Sequence, residues 1–122
     1  MVVAYAKQFI GVKYVWAGVD ENGFDCSGFT SFVMKKYGVI ISRTASGQLS
    51  ESKQIKIENA EKADLVFFGS DGKISHVGLI TSAKGAELEM VHASTSKGVI
   101  LTNVVQSTYW NPKLQATGRY LD

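Results

Sequence analysis

The stretch GFDCSGFTSFV, residues 23–33, decides the fold of this 122-residue chain, because it joins the only cysteine to the start of an amphipathic helix. Apolar side chains recur at i, i+3, i+4 and i+8, one face of a 3.6-residue period, at Phe29, Phe32, Val33 and Tyr37. Two lysines and then Gly38 follow, which is typical of a helix C-terminus. Cys26 is therefore predicted in the first turn of a helix whose apolar face is anchored in the core.

The position of this thiol allows two interpretations, a reactive cysteine and an inert one. The start of a helix presents unpaired backbone N–H groups and the positive end of the helix dipole. We expect these to lower the pKa of Cys26, and the thiolate is the nucleophilic form of cysteine. The alternative is an inert cysteine that packs as a small hydrophobic side chain. Position alone favours neither interpretation.

Composition restricts the classes of protein. A chain of 122 residues forms one domain, predicted to span residues 1–122, and 45% hydrophobic with 20% charged residues is typical of a globular protein. The net charge of +2, without clustered basic residues, argues against nucleic-acid binding. A single cysteine excludes an internal disulfide and a cysteine-rich zinc module.

The sequence also bears on location. The longest apolar runs, such as residues 65–68, are far too short to span a membrane. No signal-peptide pattern follows Met1. We therefore expect either a cytoplasmic protein or a module excised from a longer chain.

The order of predicted elements gives the fold class. An apolar stripe over residues 2–10 predicts a first helix, and an irregular stretch over residues 13–23 carries Tyr14 and Trp16, which either wall a cleft or close the edge of the core. A small helix is predicted from residues 42–44 to Ser52, with a hydroxyl as its cap. Strands then follow at residues 54–57, 65–68, 76–81, 88–92, 99–104 and 114–121. The pattern indicates an α+β fold, with N-terminal helices packed on a C-terminal antiparallel meander of about five to six strands.

The two histidines of the chain both lie on predicted strands. His76 shares a face with Gly78 and Ile80, and His92 shares one with Leu88 and Met90. A connecting loop centred on residue 84 makes paired residue numbers sum to 168, which places His76 directly opposite His92. A shift of two in that sum makes them diagonal neighbours on one face, whereas a shift of one separates their faces.

If the cysteine helix packs on the histidine face, Cys26, His76 and His92 form a nucleophile, a base and a group that orients the base. His92 would hold the second ring nitrogen of His76 and fix its tautomer. Each histidine alone is more simply a half-buried strand residue. A zinc site of Cys26, His76, His92 and Asp25 has suitable ligand types but no compact chelate spacing, so it is disfavoured.

Further candidates flank the nucleophile. The backbone N–H of Cys26 is suited to stabilise an oxyanion, and the phenol of Tyr14 is a candidate second donor. Arg43 and Asp25 are suited to a zwitterionic or acidic substrate, and a plain surface ion pair between them is an equally good interpretation of their spacing.

The chain resembles the NlpC-type family of bacterial cell-wall peptidases, a papain-like group of cysteine peptidases, over nearly all of its length. The resemblance rests on segments at residues 14–18, 23–29, 42–45, 64–68, 75–78 and 91–93, with Gln48 and the Tyr109–Trp110 pair. The phrases around Cys26 and His76 are the most specific. Ala17, Ser42 and the pair Lys62–Ala63 depart from it, standing where glycine, proline and Pro-Gly are usual.

The resemblance implies a papain-like fold with Cys26 as nucleophile, His76 as general base and His92 as third member. It implies hydrolysis of peptidoglycan stem peptides between D-γ-glutamyl and a diamino acid, with no metal or cofactor. The residues expected to line or order the site are Tyr14, Asp25, Ser27, Arg43 and Ser75.

Family members act outside the membrane, so the resemblance implies a domain of a longer secreted protein located at the cell wall, with a further wall-acting or anchoring module. The competing hypotheses are a non-catalytic wall-binding module and an amidase or acyltransferase on the same fold.

Overall fold

The computed structural model describes residues 1–121, which contain three α-helices and eight β-strands. The helices are α1 (Val2–Lys7), α2 (Cys26–Lys36) and α3 (Ala45–Glu51). The strands are β1 (Val19–Asp20), β2 (Gly23–Phe24), β3 (Lys53–Ile55), β4 (Leu65–Ser70), β5 (Lys73–Ile80), β6 (Glu89–Ser94), β7 (Gly98–Asn103) and β8 (Leu114–Arg119). Short 3-10 helices occupy Ile57–Asn59 and Asn111–Lys113.

Six of these strands form one antiparallel sheet in the order β3-β8-β4-β5-β6-β7. The predicted α+β class and strand number are confirmed. The predicted simple meander is wrong, because β8 returns to lie between β3 and β4. Strand order in a sheet depends on long-range pairing, which periodicity along the chain does not report.

The sheet is covered on both faces, which explains the continuous apolar run of β4. Leu65 and Phe67 point into the core beneath the helices, where they pack with α2. Val66 and Phe68 point to the other face, into a smaller cluster with Ile80. A strand buried on both faces needs apolar side chains at every position, and an alternating pattern disappears.

Helix α2 begins and ends as its sequence predicts. Asp25 is the N-cap, and its carboxylate accepts a hydrogen bond from the Gly28 backbone N–H at 2.7 Å. Phe29 and Val33 are fully buried, and α1 packs on α2 through edge-to-face contacts among aromatic rings. The nucleophile candidate therefore lies at the end of a firmly packed element.

The short elements were harder to predict. Helix α3 is confirmed, with the Thr44 hydroxyl accepting from the Gly47 N–H at 3.1 Å. Helix α1 ends at Lys7 and continues as turns, so it is shorter than the apolar stripe predicts. The stretch over residues 13–23 holds the β1–β2 hairpin, whose two-residue strands carry no recognisable pattern.

The hairpin between β4 and β5 turns on Asp71 and Gly72, both with positive φ (54° and 76°). Two such residues between paired Ser70 and Lys73 are typical of a type I′ turn.

Within residues 1–121, no helix has the length and apolar character needed to cross a bilayer.

Candidate functional site

The structure brings the two histidines together. Nε2 of His76 lies 2.8 Å from Nδ1 of His92, and both side chains are buried. The β5–β6 ladder pairs Leu79 with Val91 and Ile80 with Met90, so residue numbers sum to 170. The predicted direct pairing at 168 is therefore wrong, and the diagonal alternative is the observed one. The connecting loop is centred one residue later than predicted.

A threonine extends this pair into a chain of three side chains. Nε2 of His92 lies 2.9 Å from Oγ1 of Thr102, which is on β7 opposite Met90. Sequence reasoning missed Thr102, because a threonine on a strand is most often there for β propensity alone.

Trp110 covers the imidazoles. Its ring stacks on His76 with centroids 4.3 Å apart and planes inclined by 24°, and it meets His92 edge-on at 5.4 Å. Only the resemblance pointed to this residue. It excludes water from one side of the His76 ring and fixes the ring plane.

Gly78 leaves the space that His92 occupies. A Cβ atom at this position would lie 2.6 Å from Sδ of Met90 and 3.2 Å from Cβ of His92. Both distances are shorter than ordinary van der Waals contact, so a side chain here would displace the imidazole or the strand. Gly78, two residues after His76 in the chain, is thus part of the site.

The structure corrects the expected packing of the cysteine helix. Helix α2 packs on the sheet face that carries Val77, Leu79 and Val91, whereas His76 and His92 lie on the opposite face with Ile80 and Met90. The paired register of β5 with β6 covers only Leu79 and Ile80, the last two residues of β5. The first half of β5, which carries His76, is therefore bordered on one side by the N-terminal end of α2 instead of by a paired strand.

Cys26 lies at this junction, half-buried against the helix-face core. The backbone N–H of Val77, the residue after His76, is directed at its sulfur. Within residues 1–121, no side-chain hydrogen bond joins that sulfur to either imidazole. The structure thus brings the thiol to the backbone of the His76 strand, and the imidazoles to each other.

The environment of the thiol does not favour its ionisation. Burial raises the pKa of Cys26, and the neighbouring Asp25 carboxylate raises it further. The N–H groups of Val77, Ser27 and Cys26 itself act in the opposite direction, but the balance is a raised pKa. The expectation of a lowered pKa at the helix start considered the helix dipole and omitted desolvation.

The imidazoles are held in their neutral forms. Burial lowers the pKa of His76 to about 3, with a smaller contribution from His92, and burial lowers the pKa of His92 to about 4. A neutral ring has one donor and one acceptor nitrogen, so hydrogen bonds decide which nitrogen carries the proton.

The charged residues beside Cys26 pair with each other. Arg43 binds the Asp25 carboxylate through both terminal nitrogens, at 2.8 and 3.1 Å, and donates to the Ser27 hydroxyl at 2.8 Å. Asp25 is also the N-cap of α2, so its carboxylate is bound within the protein by Arg43 and by the Gly28 backbone N–H. The structure forms the ion pair that sequence spacing allowed, and this pair orders the first turn of α2.

The buried side-chain amide of Gln48 also stabilises the region around the first turn of α2. Gln48 is fully buried, and its amide nitrogen donates to the carbonyls of Ser27 and Ser42 while its oxygen accepts from Thr30. The loop that carries Arg43 is thereby fixed to α2. The role of Gln48 was not predicted, although the resemblance included it.

A cavity of about 460 Å³ opens at Cys26, bounded by Trp16, Arg43 and Ser75 among others. Trp16 is 85% exposed, so it walls a cleft and does not close the core. Tyr14 is half-buried nearby; burial raises its pKa, and the charges of Cys26 and Asp25 add to that effect.

Metal ligation has no support in the geometry. Residues 1–121 contain no group of three or more histidine, cysteine, aspartate and glutamate side chains placed to hold a metal ion. The zinc site considered for Cys26, His76, His92 and Asp25 is therefore not assembled.

The sequence model of the NlpC/P60 family matches residues 11–119, a range that includes all of the site residues described above. The chain belongs to the NlpC/P60 family. This agrees with the family expected from the sequence.

Among relatives, the chain is 32% identical over 112 residues to a gamma-DL-glutamyl hydrolase of Bacillus subtilis, covering 91% of this chain and 27% of that protein. It is 40% identical over 76 residues to a gamma-D-glutamyl-L-lysine dipeptidyl-peptidase of Bacillus cereus, covering 60% of this chain and 23% of that protein. The NlpC/P60 chain thus spans about a quarter of the length of these relatives.

Solved structures share the fold. An NlpC/P60 family protein from Bacillus cereus superposes with a TM-score of 0.89 at 30% identity, covering 99% of this chain and 39% of that one. The NlpC/p60 domain of the peptidoglycan hydrolase SagA gives 0.80 at 32% identity, with coverage of 98% and 96%. RipD from Mycobacterium tuberculosis, described as a non-catalytic NlpC/p60 domain protein, gives 0.76 at 23% identity, with coverage of 98% and 95%. The last likeness concerns the fold alone.

Proposed function

We propose that this NlpC/P60 chain is a cysteine endopeptidase that hydrolyses peptidoglycan stem peptides at the D-γ-glutamyl–diamino acid bond. Cys26 is the nucleophile, His76 the general base and His92 the residue that orients it. The relatives named as γ-glutamyl hydrolase and dipeptidyl-peptidase support the bond, and the hydrolase SagA supports the polymer. The observation that carries the proposal is the 2.8 Å contact between His76 and His92, one residue from the N–H that points at the thiol.

The direction of proton donation follows from the required base. Nε2 of His76 is engaged by His92, so Nδ1 is the nitrogen that serves the thiol. Nδ1 accepts a proton only when Nε2 carries the ring proton and donates it to His92. His92 then carries its own proton on Nε2 and donates to the Thr102 hydroxyl.

The pKa directions define how the nucleophile is activated. A raised thiol pKa and lowered imidazole pKa values favour neutral groups in the free protein. Proton transfer from Cys26 to His76 therefore accompanies attack on the carbonyl, and a preformed ion pair is not required. The new S–C bond gives an oxyanion that the Cys26 backbone N–H stabilises. The C–N bond then breaks, His76 returns its proton to the leaving amine, and water resolves the acyl-enzyme.

The other predicted residues order this site. Asp25, Arg43 and Ser27 fix the first turn of α2, while Tyr14 and Ser75 border the region of the thiol. We further propose that the chain acts at the cell wall as one domain of a longer protein, since these relatives are roughly three times its length.

Mass analysis of digested peptidoglycan tests this function. We expect new amino termini on the diamino acid, whereas release of an intact stem from the sugar would indicate an amidase. Transfer of the acyl group to an added amine would indicate an acyltransferase. Walls containing lysine and walls containing diaminopimelate are compared in parallel.

Cys26→Ser is expected to remove nearly all turnover while the circular dichroism spectrum is unchanged. Because the chain has one cysteine, a thiol-directed reagent provides a matched control that inactivates the wild type and leaves the residual activity of Cys26→Ser unaltered. Undiminished hydrolysis by Cys26→Ser would refute the nucleophile, and wall binding without turnover in the wild type would favour a non-catalytic module.

A further inference from the structure

A second cavity, of about 650 Å³, lies beside the Cys26 cavity. His76, Trp110 and Thr102 line it, and Ser75 borders both cavities. Cys26 belongs to one cavity and His76 to the other. We refer to the second as the His76-side cavity.

The two cavities correspond to the two halves of a cleaved substrate, an assignment that rests on the proposed function. The acyl half stays bonded to the Cys26 sulfur until water releases it. The leaving half departs as an amine, whose nitrogen must receive the proton that His76 carries. The general acid has to lie within hydrogen-bond reach of that nitrogen, so the leaving half occupies the His76-side cavity.

The charges of the two cavities differ. In the Cys26 cavity the guanidinium of Arg43 is neutralised by Asp25. The His76-side cavity is lined by Lys97 and Lys113 and by no acidic residue. Among the residues that the structure describes, neither lysine has a carboxylate partner.

The remaining lining suits an anion with several acceptor oxygens. Hydroxyl groups project from Ser94, Thr95 and Ser96 at the β6–β7 turn, next to Lys97. Lys113 is half-buried, with Nζ 4.2 Å from the centroid of the Tyr109 ring, which restricts its reach to this side of the cavity. Two lysines and three hydroxyl-bearing residues therefore line the cavity in which the leaving residue is placed.

We propose that Lys97 and Lys113 bind a carboxylate of the leaving diamino acid and make the protein selective for substrates in which that carboxylate is free. The carboxylate has two sources, the main chain of a stem that ends at the diamino acid and the side chain of a dicarboxylic diamino acid. Both present the same anion to the cavity.

Three peptides with one acyl half, L-alanyl-γ-D-glutamyl, test the proposal. Their leaving residues are lysine, lysine amide, and diaminopimelic acid amidated at its main-chain carboxyl. A kcat/KM about tenfold higher for lysine than for its amide assigns the main-chain carboxylate. A similar excess for the diaminopimelate peptide over lysine amide assigns the side-chain carboxylate. The preference is expected to shrink as ionic strength rises.

The double variant Lys97→Gln/Lys113→Gln is expected to lower kcat/KM for the preferred peptide about tenfold, to the value for lysine amide. Lys53→Gln, an exposed lysine on edge strand β3, is the matched control and keeps the preference. Equal rates on all three peptides, or a preference that survives in the double variant, overturn this inference and leave the peptidase function intact. Cleavage of none of the peptides by the wild type refutes the function, and this inference with it.

Discussion

Thr102 closes the chain of side chains that begins at His76, and the proposed function requires its hydroxyl to accept the proton of His92 Nε2. If it accepts from His92, the exposed nitrogen of His76 is free to take a proton. If His92 instead carried its proton on Nδ1 and donated to His76, the His76 proton would move to Nδ1 and the base would be blocked. Under the proposed function, the neutral hydroxyl of Thr102 is thus expected to act as a positioning group for the base.

Thr102→Val is expected to lower kcat about 10- to 100-fold with little change in KM, because a buried N–H of His92 loses its acceptor. Thr102→Ser keeps the acceptor and is the matched control, with activity near that of the wild type. Nitrogen NMR of the imidazoles reports the tautomer directly. An unchanged His92 tautomer in Thr102→Val would contradict this role, as would equal losses in the serine and valine variants.

Two alanines carry a backbone conformation that glycine adopts more easily. Ala17 has φ 62° and Ala63 has φ 77°, both in the left-handed region. These are positions at which the resemblance expects glycine, so the sequence departures fall where the turns need positive φ. The backbone N–H of Ala63 donates to the carbonyl of Ile80 at 2.9 Å, which holds this turn against the sheet.

At the level of elements, Ala63→Gly is expected to stabilise the protein by about 0.5 to 1 kcal/mol, since relief of left-handed strain exceeds the added entropy of the unfolded chain. Urea denaturation measures the difference. Ala86→Gly, at an exposed alanine with negative φ, is the control and is expected to be neutral or slightly destabilising. Destabilisation by Ala63→Gly would show that the turn is not strained.

Local sequence signals predicted the helices and strands, but they did not predict the strand order or the register between strands that are distant in the chain. Helix α2 was predictable from its apolar face and from Gly38 after its end, α3 from a hydroxyl N-cap, and β4 from its continuous apolar run. The histidine register was wrong by two in the residue sum, since the loop between β5 and β6 was centred on Lys84, whereas the observed pairing is centred on Gly85, which has positive φ (88°). The sheet face on which α2 packs depends on long-range packing, and the spacing of apolar residues along the chain does not predict it.

At the scale of the molecule, the two buried neutral histidines make folding sensitive to acid. Their pKa values of about 3 and about 4 in the folded protein lie below the ordinary value of 6.5. Between those values the unfolded chain takes up protons that the folded protein excludes. The stabilisation is therefore fully present above pH 6.5 and is lost progressively as the pH falls from 6.5 to about 3.

The free energy of unfolding is expected to fall by several kcal/mol, on the order of 3 to 6, between pH 7 and pH 4. Urea titrations at unit pH intervals measure it. The double variant His76→Asn/His92→Asn removes both titrating rings and is expected to give a flatter profile, since only the carboxylates remain. The same slope in both proteins would show that the imidazoles are not the source.

The position of β8 has a further consequence for synthesis. Strand β3 joins the main sheet only through β8, although nearly half of the sequence separates the two strands. A ribosome-bound chain that still lacks its final strand has no partner for β3 and an open edge at β4. We therefore expect the domain to acquire its native state only after translation has passed residue 119, so that folding occurs late and in a single step.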